Sequence, residues 1–221
     1  MPTLVDRVLG PRIPHEELHR DPLRFRLPTI LLLTASLLLV ASVFLPYWQM
    51  TLLAPQYPGG LRVNAYLNRL EGDVHEIDEL NHYIGMRPLQ DAAMLERSIS
   101  VYGVVMLSLL VAGAVFVHSR WAGVLSLPAL IFPAVFLGDL YYWLRTFGHE
   151  LDPRAPLSRA IKPFTPPVLG VGRVGQFKTV AIPGAGLWLA FAASLLIAAG
   201  LYYHRRAYKP LVERALAAGR T

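Results

Sequence analysis

Four stretches of this chain, residues 29–46, 99–118, 121–144 and 185–203, are nearly continuous runs of apolar side chains with no charge in their central turns. Each approaches or exceeds the ~20 residues that a helix needs to cross roughly 30 Å of hydrocarbon. In lipid every backbone N–H and C=O must be satisfied within the segment, so runs of this kind form helices. Composition agrees: 54% of the residues are hydrophobic and 16% charged, against about 25% charged in soluble domains. The expected fold class is an all-α membrane protein, four transmembrane helices carrying a small extracytoplasmic α+β cap. The remaining chain divides into a cytoplasmic lead (1–28), two outer segments (47–98 and 145–184) and a cytoplasmic tail (204–221). The first apolar run ends in Pro46, Tyr47 and Trp48 rather than a small-x-small site, so it is expected to stay as an anchor rather than be cleaved. Tyr47 and Trp48 are expected at the outer interface, where aromatic rings prefer to sit.

Basic residues give the orientation. Arg24 and Arg26 precede the first run, Arg120 lies in the short turn between the second and third, and Arg205, Arg206 and Lys209 follow the fourth. The positive-inside rule makes that side cytoplasmic, N-in and C-in. The first outer segment is acid-rich; the second holds six basic residues, so the bias is uneven. The formal charge of +6 reads as orientation and attraction to anionic headgroups of a lipid bilayer, not as nucleic-acid binding.

The outer segments carry local structure. "WQMTLLAP" and "LRVNAYLNRL" read as strands joined at the turn signal "QYPGG". "DVHEIDELNHYIGM" reads as a helix, capped by Asp73 with Glu76 three residues on and ended by Gly85 and Pro88. A second short helix is expected around 89–97. Pro128 and Pro133 predict a kink in the third apolar run. Asp139, near its outer end, is the one acid inside an apolar run. An intramembrane carboxylate suggests function, and the alternative is an interfacial group paired with Arg145. Residues 145–184, rich in Pro and Gly, read as a packed loop lying on the first outer segment.

With no cysteine in the chain, disulfides, C-x-x-C pairs and thiolate metal sites are excluded. Any outer metal site would use His, Met, Asp, Glu or Asn. On a helical wheel His75, Glu79, His82 and Met86 fall at 0, about 40, about −20 and about 20°, with Asp78 at the stripe's edge. Imidazole with thioether suits copper, and imidazole with carboxylate suits Zn or Cu(II). The same stripe also fits the solvated face opposite Ile77, Leu80 and Ile84. His149, with Asp152 three residues on, lies on the same expected side. "GVGRVG" at 170–175 matches a dinucleotide fingerprint in letters, but prolines flank it and no helix follows directly, so no nucleotide is expected. No haem is expected either, since His118 and His204 sit at helix ends. No Ser–His–Asp arrangement appears.

The strings "APQYPGGLRVNAYLNRLEGDVHEIDELNHYIGM", "YYWLRTFGHELDPRAP" and "IKPFTPPVLG…GQF" resemble the outer segments of the NosB family. These are multi-pass membrane proteins of atypical (clade II) nitrous oxide reductase gene clusters, with relatives near other copper-protein genes. "VGRVGQFKTVAIPGAG" departs from the pattern. The resemblance implies a non-enzymatic accessory protein of the bacterial inner (cytoplasmic) membrane, beside copper assembly or electron transfer, with a membrane or periplasmic protein partner. It implies a copper ion at His82, Met86 and His149, with Asp78, Asn81 and Asp152 beside them. A metal-free structural or docking subunit of a respiratory complex is the alternative.

Overall fold

The computed structural model describes residues 9, 10, 17, 19, 21–157, 160–174 and 176–218. Among them, four helices are long and apolar enough to cross a membrane, and a small antiparallel sheet accompanies them. These helices are α1 (Pro22–Ser42), α3 (Met94–Ala114), α4 (Trp121–His149) and α5 (Ala185–Ala218), with the shorter α2 (Val74–Ile84) between α1 and α3. The strands are β1 (Trp48–Ala54), β2 (Tyr57–Ala65), β3 (Leu70–Gly72), β4 (Gly170–Val174) and β5 (Phe177–Pro183). Each long helix extends beyond its expected apolar run at one end, while α1 and α3 stop at Ser42 and Ala114, short of 46 and 118; α1 begins earlier than expected, at a Pro in the first helical position, which needs no N–H partner there. Asp21 precedes it and accepts the Arg24 amide at 3.4 Å. α4 runs unbroken through Pro128 and Pro133. The chain forms two compact units, divided within the helices.

The first unit comprises residues 1–41, 103–132 and 189–221. Its helices meet through small residues: Ala190 and Ala193 are fully buried, and a side chain at Gly200 would press on Leu32 at 3.0 Å. A reciprocal serine clamp joins α1 to α3, with Ser36 Oγ and Ser108 Oγ 2.7 Å apart and each hydroxyl 3.0 Å from the other's carbonyl. Such contacts contribute on the order of 1 kcal/mol between apolar helices.

The second unit comprises residues 42–102 and 133–188 and contains the sheet, in the order β3-β2-β1-β5-β4. Central β1 pairs on one side with its hairpin partner β2 and on the other with β5, in the register Met50↔Ala181 and Thr51↔Val180. The β1 side chains alternate in burial, so one sheet face is a core face. There Trp48, Met50, Leu52, Leu61, Val63 and Ala181 pack on Val74 and Ile77 of α2 and Leu144 of α4. Burying a Val, Leu, Ile or Met side chain contributes roughly 1.5–3 kcal/mol, so these contacts together fix the sheet on α2 and α4.

Tyr47 and Trp48 differ from expectation. Both are buried within the protein, Trp48 in this core, instead of lying in an interfacial belt. Tyr47 Oη lies 2.6 Å from Ser42 Oγ, its ring is 4.9 Å from that of Phe136, and burial pushes its hydroxyl pKa up to about 12. The Trp48 indole donates to the Val168 carbonyl at 2.5 Å. An aromatic ring with one polar tip suits either a wet interface or a core with a partner for the tip; here partners were supplied. The hairpin turn sits at Pro55–Gln56, since Ala54 pairs with Tyr57, earlier than "QYPGG" suggested. Residues 145–184 supply two strands where a loop was expected. Of the helix expected at 89–97, Leu89–Asp91 form a 3-10 turn and residues 94–97 are the first turn of α3 itself.

Where β5 enters α5, the chain passes very close to the residues before β1. The Gly184 amide donates to the Tyr47 carbonyl at 2.9 Å and the Gly186 amide to Pro46 at 2.8 Å. A β-carbon on Gly184 would stand 2.1 Å from the Pro46 carbonyl oxygen. Gly184→Ala is therefore expected to lower stability by about 1–3 kcal/mol. Gly138→Ala, in open space on α4, should be neutral or stabilising by up to ~1 kcal/mol. Thermal unfolding of the detergent-solubilised variants checks both.

Candidate functional site

The two outer segments meet at the C-terminal end of α2, and a glycine makes the meeting possible. Gly85 adopts the left-handed conformation (φ 81°). Its amide donates to the His82 carbonyl at 3.3 Å and the Met86 amide to Asn81 at 2.9 Å, the paired bonds of a Schellman motif. The Gly85 carbonyl then accepts the Asp152 amide at 2.8 Å, and the Tyr83 carbonyl accepts that of Leu157 at 3.0 Å. A β-carbon at position 85 would collide with the Asp152 backbone at 2.7 Å.

This junction borders a cleft of about 430 Å³ lined by His82, Met86, Arg87, Glu150, Asp152 and Arg154, among others. His82 is exposed on the last turn of α2. Asp152 accepts the Arg154 backbone amide at 2.9 Å and its Nε at 3.3 Å. The Arg154 amide and guanidinium hold the Asp152 carboxyl below its ordinary pKa, and nearby His82 adds to the effect. Arg87 reaches Glu150 at 3.8 Å and stacks its guanidinium over Phe147. His82 and Asp152 thus share one cleft, on segments 70 residues apart in sequence.

The other candidates are placed differently. Met86 lines the cleft, but it is 8% exposed and packs with Ile84 and Phe147; the Schellman turn swings it off the helical stripe and inward. Asp78 Oδ1 accepts the Leu89 amide at 2.6 Å, tying α2 to the turn that follows. Burial above all, and Asp91 beside it, push its carboxyl pKa up. Asn81 is buried on the core side of α2. His149 is exposed at the end of α4 and not among the cleft-lining residues. Its Nδ1 stands 2.9 Å from the Arg145 carbonyl, which can only accept, so Nδ1 is the donor of this bond. His75 and Glu79 lie 3.4 Å apart as an exposed i, i+4 pair. Arg145 does not reach Asp139, which makes no ion pair among the described residues. Asp73 sits at the α2 N-cap without capping it, its Oδ2 accepting the Arg62 amide instead. Among the described residues no group of three His, Asp or Glu is close enough to hold a metal ion.

Sequence reasoning passed over a second, apolar cavity of about 60 Å³ behind α2, lined by Met50, Ile77, Leu80 and Phe177. Asn81 Nδ2 and Thr179 Oγ1 line it without a hydrogen-bond partner; the Asn81 amide influences the Asp78 carboxyl without a well-formed bond to it. The missed signal was the alternation in "FKTVAIP", which turns Thr179 to the core.

Comparison with known protein families, with curated proteins and with solved structures finds no match for this chain.

Asp78 yields a prediction with a definite sign. Its folded pKa lies above the unfolded value, so the folded state binds more protons and its stability falls as pH rises through the interval between the two. Asp78→Asn keeps an oxygen for the Leu89 amide and removes the charge. It is expected to melt higher than wild type at pH 7 and to flatten the fall in stability above pH 4. Unchanged melting curves at both pH values would contradict this.

Proposed function

We propose that this chain is an accessory integral membrane protein, N-in and C-in, that receives or hands over a copper ion at its outer cleft. It would serve the maturation of, or electron transfer to, a copper-dependent respiratory enzyme. The observation that carries the reading is the convergence of His82 and Asp152 on one open cleft. The Met86 thioether stands in the wall, and the exposed His149 is one residue from Glu150 in the lining. Imidazole, thioether and carboxylate form a donor set that copper accepts in both oxidation states. An exposed, incomplete donor set suits transfer better than storage, because a closed coordination shell would hold its ion. The His149 arrangement, one ring nitrogen donating to a backbone carbonyl, is the usual support of a metal-binding imidazole. The four apolar helices and the bases flanking them support the membrane setting and the orientation.

A specific observation favours the second reading, a metal-free docking subunit. Asp152 and Glu150 already face Arg154 and Arg87, and those guanidiniums repel a cation. A cleft of alternating charge also suits a protein partner.

Titration of the purified protein with Cu(I) against a chromogenic competitor separates the two. The copper reading expects about one ion per chain, with affinity lowered about tenfold or more in His82→Ala and His149→Ala. Wild type that takes up no copper while co-purifying with a respiratory partner would leave the docking reading.

A further inference from the structure

The outward face of the sheet presents an unpaid electrostatic cost. Arg173 on β4 lies directly opposite Lys178 on β5, and both are exposed. Like charges directly opposite in an antiparallel pair destabilise it. Neither base is in an ion pair among the described residues. The adjoining cross-strand row, Val171–Val180–Thr51–Arg62, ends in a third exposed base. The acid on this face, Glu71, is already bound to Arg69 at 2.6 Å.

The same face ends in an open edge. β4 is the terminal strand, and residues 170–174 make no backbone hydrogen bond beyond those to β5 among the described residues. Val171 beside this edge is 61% exposed and Ile182 51%. The opposite edge, β3, is three residues long and carries the Arg69–Glu71 pair. We propose that β4 accepts an extended acidic segment of a partner protein as a sixth strand. Val171 and Arg173 share the outward face, so the added strand would present its acidic side chains on that face, one of them beside Arg173, and its alternate, apolar side chains on the other. An added strand lies about 4.8 Å beyond β4, so one Glu there reaches Arg173 and moderates the repulsion from Lys178. Main-chain bonds would supply affinity and the alternating side chains selectivity, as in other strand additions. A second copy of this chain is disfavoured, since it would bring another Arg173 and Lys178 against the first. A charged edge that deters self-pairing still admits the opposite sign.

Full-length protein in uncharged detergent can be titrated with a labelled peptide alternating Val and Glu, and with its Val–Lys counterpart. The proposal expects saturable binding of the Glu peptide, weakened by salt, and none of the Lys peptide. Arg173→Glu and Lys178→Glu should each lower the Glu-peptide affinity about tenfold or more, while melting no lower than wild type because each replaces the repulsive pair with an attractive one. Equal or absent binding of both peptides, or variants that bind the Glu peptide like wild type, would overturn it. Displacement of the peptide by added phosphatidylglycerol would assign the surface to lipid headgroups instead. Wild-type dimers that Arg173→Glu dissociates would assign it to a second copy.

Discussion

The pairing of β1 with β5 is the contact on which the second unit depends. It joins two segments about 130 residues apart through a continuous ladder from Trp48↔Pro183 to Leu53↔Lys178. The Pro46 and Tyr47 carbonyls extend the hold to Gly184 and Gly186. Without it β1 and β2 would be an isolated hairpin, which is marginal in water. With it the core face gains Thr179 and Ala181 and closes over α2. Each backbone bond is worth only about 1 kcal/mol net, but the ladder also sets which side chains face inward. A slip of one residue would turn Met50 and Leu52 outward.

The candidate cleft, too, is a product of folding rather than of local sequence. The 150–157 stretch docks on Gly85 and Tyr83 through two backbone bonds, and those bonds set Asp152 beside His82. The cleft is open and its carboxylates are partly satisfied by neighbouring guanidiniums. On the proposed reading it exchanges an ion with something outside the chain; on the alternative it receives a protein surface. Asp78 and Met86 serve the architecture around it: one ties α2 to the turn beyond it, the other anchors the close of α2.

The four apolar helices were legible because their runs are long, apolar and nearly free of charge. The first hairpin and α2 were legible because their apolar side chains recur with the strand and helix periods. Residues 145–184 were not. The prolines at 163, 166 and 167 and the glycines around β4 mask two short strands whose partner lies in another segment. Pairing over that distance leaves only the weak alternation of Phe177, Thr179 and Ala181. The wheel that aligned His75, Glu79, His82 and Met86 assumed a helix through position 86. Gly85 ends it one residue too soon, and the αL turn sends Met86 to the core. His82 was readable as an exposed polar side chain of α2. Asp152 was named beside it only through the resemblance and the expectation that the outer segments meet, because no spacing rule connects residues joined by backbone bonds between distant segments.

The absence of cysteine makes the register of that sheet directly measurable. Thr51 and Val180 are directly opposite across β1 and β5, within the β-carbon separation that adjacent strands allow and close to that of a disulfide. The double variant Thr51→Cys, Val180→Cys should form an intramolecular disulfide under mild oxidation in native membranes, seen as a mobility shift reversed by reductant. The out-of-register pair Thr51→Cys, Ile182→Cys should form little. No disulfide in the first variant, or equal yield in the second, would contradict the β1–β5 pairing and with it the cleft that joins His82 to Asp152.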